Sequence, residues 1–102
     1  MSLIFNDKRA IRSSGLFDEK FYLLNNPDVR SADIDPLKHF MTTGWKEGRN
    51  PSEKFDVNFY LQKNPDVKES GVNPLVHYLR HGMVEGRSPL PSSNQTLPLL
   101  LT

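Results

Sequence analysis

The feature that most constrains this chain is its near-repetition of itself: a shift of 38 residues lays Phe17 onto Phe55 and keeps the two stretches aligned without a gap. Phe17-Asp18-Glu19-Lys20-Phe21-Tyr22-Leu23 falls on Phe55-Asp56-Val57-Asn58-Phe59-Tyr60-Leu61, and Asn26-Pro27-Asp28-Val29 falls on Asn64-Pro65-Asp66-Val67. Pro36-Leu37-Lys38-His39-Phe40 then meets Pro74-Leu75-Val76-His77-Tyr78. Gly44-Trp45-Lys46-Glu47-Gly48-Arg49 meets Gly82-Met83-Val84-Glu85-Gly86-Arg87. A duplicated stretch of this length reads as a folding unit that buries its apolar face partly against its neighbour.

The residue types shared by the two copies predict where helices begin and end. Asp18 and Asp56 stand where a helix N-cap belongs, with Phe17 and Phe55 before the cap and Tyr22 and Tyr60 placed for a hydrophobic staple. Pro27 and Pro65 restrict the preceding Asn and remove a backbone donor, so the first helix of each unit is short. Asn26 and Asn64 are then expected to cap a second helical turn with Pro at its first position and Asp28 or Asp66 near its positive end. Asp35 or Asn73 caps the next helix, on which Leu37, Phe40 and Met41, matched by Leu75, Tyr78 and Leu79, share one apolar face. Gly44 and Gly82 follow, and are expected to end that helix in the left-handed conformation. The fold class is therefore all-α: two tandem helix-bend-helix repeats of about 38 residues plus a short N-terminal helix.

Within one compact domain, residues 1–16 carry that N-terminal helix, capped at Asn6 or Asp7, stopped at Gly15 and packed through Ile11 on the first repeat. Residues 17–54 and 55–90 are the repeats, and residues 91–102 are a tail of linker composition with an apolar end. The Asn94-Gln95-Thr96 sequon matters only in a glycosylating secretory pathway.

Composition excludes several classes of function. With 13 Lys and Arg against 12 Asp and Glu, interspersed, the chain lacks the clustered cationic face that phosphate neutralisation requires, so nucleic acid is not the expected partner. The local group Lys8, Arg9 and Arg12 reads as a solvated helix face. The absence of Cys removes disulfides, thiolate chemistry and the common structural zinc sites. No segment reaches the roughly 20 apolar residues of a membrane span, and no export signal is evident, which points to a cytoplasmic chain.

His77 and His81, four apart on one predicted helix, have the spacing of a two-histidine metal site, but the first copy has Thr43 where the second has His81. His39 and His77 are better explained as half-buried rings with one hydrogen bond. Arg49 and Arg87, in the Glu-Gly-Arg motifs, are expected to reach back to Asp28 and Asp66 or to cap helix-end carbonyls, in preference to the alternative of binding an anion or ligand. Tyr22, Trp45 and Tyr60, with the histidine pair, remain the candidate surface for a ligand or partner. No phosphate loop, nucleophile elbow or acid pair is recognisable, and no metal or cofactor is expected.

The run Ile11-Arg12-Ser13-Ser14-Gly15-Leu16-Phe17-Asp18, followed by Phe21-Tyr22-Leu23, Asn26-Pro27-Asp28-Val29, Pro36-Leu37, His39-Phe40, Gly44 and Glu47-Gly48-Arg49-Asn50-Pro51, resembles a repeat attached to bacterial glycosyltransferases of cell-surface polysaccharide synthesis. The resemblance spans residues 11–90. The sequence departs from that pattern at Ala32-Asp33-Ile34, which lacks the Gly found in the second copy at Gly71. The resemblance implies a non-catalytic accessory or interaction module, a fragment of or companion to such an enzyme, because the sugar-transfer residues lie in a domain that 102 residues cannot hold. It also implies a protein partner or neighbouring catalytic domain, and a location at the membrane periphery reached through that partner. The alternatives are a carbohydrate-binding module that stacks sugars on Trp45, Tyr22 and Tyr60, and a free-standing helical-repeat adaptor.

Overall fold

The computed structural model describes residues 6–91. The tail and sequon anticipated within residues 92–102 lie outside the described residues. Among the described residues seven α-helices follow one another: α1 (Asp7–Ser14), α2 (Glu19–Asn25), α3 (Pro27–Ala32), α4 (Pro36–Thr42), α5 (Val57–Lys63), α6 (Pro65–Ser70) and α7 (Pro74–His77). A 3-10 turn over Gly44–Glu47 follows α4, and a π turn over Tyr78–Gly82 follows α7. No strand occurs among the described residues, apart from one isolated bridge between Ser52 and Phe55.

The helix starts obey local chemistry. Asp18 accepts the Phe21 N–H and Asp56 the Phe59 N–H, satisfying donors that the first turn leaves open. Asp35 and Asn73 each accept two amide hydrogens of the helix behind them, and Pro occupies the first position of α3, α4, α6 and α7. The staples form, with the Phe17 and Tyr22 ring centroids 5.4 Å apart and those of Phe55 and Tyr60 5.2 Å apart. Asn6 caps α1 by accepting the Arg9 N–H, and Gly15 closes it at φ 77°.

Two sequence expectations are corrected. Gly44 and Gly82 do not take the left-handed conformation; the glycines that do are Gly15, Gly48, Gly71 and Gly86. Backbone therefore continues through Gly44 and Gly82 as a tighter or wider turn, and reverses four residues later. Asn26 and Asn64 stand at the N-cap of α3 and α6 but make no side-chain capping bond. Each instead donates Nδ2 to the carbonyl of a buried tyrosine four residues earlier, Tyr22 or Tyr60, at 2.7 Å. The missing glycine in the first copy is answered by Asp33, which takes φ 57° where Gly71 takes φ 73°. Asp is among the few residues that enter this region at modest cost.

Helices α2, α3 and α4 pack on one another, as do α5, α6 and α7. One continuous core joins both sets: Tyr22, Val29, Leu37 and Phe40 from the first, Phe55, Val57, Tyr60, Val67, Leu75 and Val76 from the second, and Ile11 from α1. Its largest members are aromatic: Tyr22, Tyr60, Phe40 and Phe55. Each set closes on its own start, Asp18 donating its N–H to the Pro51 carbonyl and Asp56 to the Pro89 carbonyl, both at 2.9 Å.

Helix α1 was expected to pack on the first repeat, residues 17–54, and its main contacts lie elsewhere. It packs against α7 and the π turn, at the far end of the sequence, while Arg12 borders a hollow shared with Phe17, Glu19 and Pro36. Val76 of α7 is buried, whereas Lys38, at the corresponding place of α4, is exposed. Of these two helices, α7 is the one that α1 packs against.

Candidate functional site

The Glu-Gly-Arg motifs are the most elaborate polar constructions in the molecule. Gly48, at φ 77°, turns the chain so that Arg49 points back across α3. Its guanidinium donates to both carboxylate oxygens of Asp28 at 2.9 Å, to Asn26 Oδ1 at 2.9 Å and, through Nε, to Glu47 at 2.9 Å. Arg87 does the same with Asp66 at 3.1 Å, Asn64 at 2.9 Å and Glu85 at 2.9 Å. Bidentate geometry of this kind suits the planar arginine fork and would be lost on lysine. The guanidinium beside each aspartate holds the Asp28 and Asp66 carboxyls below the usual carboxylate range.

These contacts tie the turn after the last helix of each set to the bend between its first two. Of the two roles anticipated for Arg49 and Arg87, the carboxylate clasp is the one found. The third partner, Asn26 or Asn64, was not anticipated. Its signal was present in the sequence as an Asn two positions before the clasped Asp in both copies, with the Arg 23 residues on. Asn26 and Asn64 are buried, with both ends of each amide used.

A second construction lies at Gly44 and Gly82. The hydroxyl of Tyr22 sits against Gly44, where a Cβ would overlap it, and the hydroxyl of Tyr60 sits likewise against Gly82. Each hydroxyl also pairs with a histidine, Tyr22 with His39 Nδ1 at 2.8 Å and Tyr60 with His77 Nδ1 at 2.9 Å. Both histidines are half-buried with that one bond, as the sequence led us to expect. Burial pushes the two tyrosine hydroxyls up to about 12. Burial, with the charge of Arg87, pushes the His77 imidazole down.

The structure does not assemble the candidate ligand surface as one face. Tyr22 and Tyr60 are fully buried and offer no ring to a sugar. Trp45 is half-buried, its indole N–H donating to the Met41 carbonyl at 3.1 Å, with the Lys46 ammonium 5.9 Å from the ring centroid. The rings of His77 and His81 do approach, their centroids 5.5 Å apart, beside a small hollow lined also by Ser70, Val72 and Val76. Among the described residues no group of three His, Asp or Glu side chains is placed to hold a metal ion. No helix among them is long and apolar enough to cross a membrane. Asp18 and Asp56 are occupied as caps, and Asp28, Asp66, Arg49 and Arg87 by one another. Comparison with protein-family models, curated proteins and solved structures finds no match to this chain.

Proposed function

We propose that this chain is a non-catalytic interaction module made of two copies of one helical folding unit, residues 17–54 and 55–90. Its partner is a protein or a neighbouring catalytic domain. The resemblance of its sequence to repeats attached to bacterial glycosyltransferases suggests the setting, an enzyme of cell-surface polysaccharide synthesis working in the cytoplasm or at the membrane periphery.

One observation carries the reading. The polar residues shared by the two halves are engaged with one another in the same pattern, Arg49 with Asn26 and Asp28, and Arg87 with Asn64 and Asp66. A duplicated catalytic or ligand site would aim such groups at a common space; these groups close the polypeptide on itself. What the module then offers outward is surface, including the exposed apolar side chains Leu24, Met83 and Val84.

The test is to incubate the purified chain with nucleotide-sugar donors and acceptor glycans, and to titrate it with bacterial polysaccharides while following Trp45 fluorescence. The reading expects neither transfer nor hydrolysis and a flat fluorescence response. Turnover would overturn it, and a saturable fluorescence shift would replace it with the carbohydrate-binding alternative.

A further inference from the structure

The turns that end the two halves share a left-handed glycine and a closing bond, Arg49 N–H to the Gly44 carbonyl and Arg87 N–H to the Gly82 carbonyl, but differ in their surroundings. In the first, Gly48 lies so near α5 that a Cβ there would come within 2.9 Å of Asn58 Oδ1, and Asn50 Oδ1 accepts the Val57 N–H at 2.8 Å. Pro51, Ser52 and Val57 are buried at this junction, and Gly48 and Asn50 half-buried. In the second, Gly86 takes φ 78°, against 77° for Gly48, but among the described residues nothing stands within 4 Å of its Cβ position. Ser88 is exposed, Pro89 and Leu90 are half-buried, and the neighbouring Met83 is 50% exposed. The sequence that follows carries Gln95-Thr96 at the places of Val57-Asn58 and Pro98 at the place of Tyr60, so it lacks the apolar residue that opens α5 at the junction and the ring that α5 packs into its own half.

Resting on the two-unit reading above, we propose that the end face formed by Met83, Gly86, Ser88 and Leu90 is a docking surface for the opening helix of a further unit of the same design, presented by a partner polypeptide. The junction inside this molecule defines the chemistry of the occupant. It is a short helix with an aspartate cap, an apolar first residue to cover Pro89 and Leu90, and a small polar second residue to sit over Gly86. Ser88 takes the place of Asn50 and presents its hydroxyl to the first amide of that helix. A second copy of this chain is a poor occupant, because its α2 opens with Glu19-Lys20, both exposed, where α5 opens with Val57-Asn58. Docking it would set a carboxylate and an ammonium against Leu90 and Gly86.

The probe is the chain's own second unit, supplied in series: residues 1–90 followed directly by residues 53–102, compared with the parent chain by thermal unfolding, sedimentation velocity and hydrogen exchange. The expected result is added helical signal, a single unfolding transition at higher temperature than the parent, and amide protection over residues 86–90 raised about tenfold or more. Ser88→Asn should raise the midpoint of the extended chain and leave that of the parent unchanged. If the added unit folds but melts separately, if residues 86–90 stay unprotected, or if Ser88→Asn is silent in the extended chain, the docking surface is overturned while the two-unit reading survives. If the added unit contributes no helical signal, both fall. Self-association of the parent with protection at Gly86 would give the face to a second copy and also overturn the proposal.

Discussion

Replacing Gly44 with alanine would place a methyl group on the Tyr22 hydroxyl, a site from which the tyrosine cannot retreat. Tyr22 is fully buried, its ring lies 5.4 Å from Phe17 and 5.9 Å from Phe40 by centroids, and its hydroxyl is fixed on His39 at 2.8 Å. Overpacking a closed site of this kind costs about 1–3 kcal/mol. Displacing the hydroxyl from His39 adds the loss of a hydrogen bond, about 0.5–1.5 kcal/mol. Against this, alanine recovers roughly 0.5–1 kcal/mol of backbone entropy relative to glycine. The net loss is about 0.5–4 kcal/mol, and for a chain of this size each kcal/mol lowers the melting midpoint by roughly 4–8 °C. The decisive comparison uses Tyr22→Phe as background, since removing the hydroxyl removes the nearest obstacle and leaves only the ring carbon, at 3.2 Å. Chemical denaturation of the wild type, the two single variants and the double variant should show Gly44→Ala costing much less in the Tyr22→Phe protein, a coupling of about 1 kcal/mol or more. Equal cost in both backgrounds would refute the argument and indicate that the backbone at Gly44, rather than its neighbour, requires glycine.

Other consequences follow from the same contacts. Asp33→Gly should stabilise the chain by up to about 1 kcal/mol, because glycine accepts the left-handed bend that Asp33 holds at φ 57°, whereas Gly71→Ala should destabilise it by about 1–2 kcal/mol; denaturant midpoints read both. His77 and the clasped aspartates predict a two-stage loss of stability in acid. The folded state lowers the His77 value from 6.5, so its contribution is complete above that pH and is lost as pH falls through the folded value. Asp28 and Asp66, lowered from 3.8, keep their contribution until pH falls below that value. Melting midpoints measured from pH 8 to pH 3 should fall in both ranges, and His77→Gln should shrink the first fall and spare the second; an unchanged profile in that variant would contradict the assignment. Asp56→Ala, by removing the acceptor of the Phe59 N–H, should cost about 1 kcal/mol in the same measurement.

The helix starts were legible in the sequence because capping is local: Asp18, Asp35, Asp56 and Asn73 act on amides two or three residues away. The Asn-Pro bends were legible for the same reason. The clasp of Arg49 on Asp28 was also within reach, because an arginine and an aspartate recur at equal separation in both halves. Gly44 misled, since a glycine at a helix end usually signals the left-handed stop, and here its purpose is set by Tyr22, which is distant in sequence. Asn26 was read as a cap because it precedes Pro27, and only the fold brings Arg49 to its oxygen. The seat of α1 on α7 could not be read from Ile11, since one apolar residue on a short helix does not choose its partner. Burial of Tyr22 and Tyr60 was likewise hidden, because an aromatic ring that serves as a staple and one that serves a ligand look alike in sequence.

The central claim, that the matched charged residues hold a folding unit together, is tested most directly by hydrogen exchange and thermal unfolding of Arg49→Ala and Arg87→Ala. Removing Arg49 strips the buried Asn26 oxygen of its donor, which costs about 1–3 kcal/mol when no replacement is at hand. Each variant should melt at a lower midpoint, with faster exchange centred on α3 in the first and on α6 in the second. Midpoints and exchange indistinguishable from the wild type would contradict it, and would return the Glu-Gly-Arg motifs to the list of candidate binding sites.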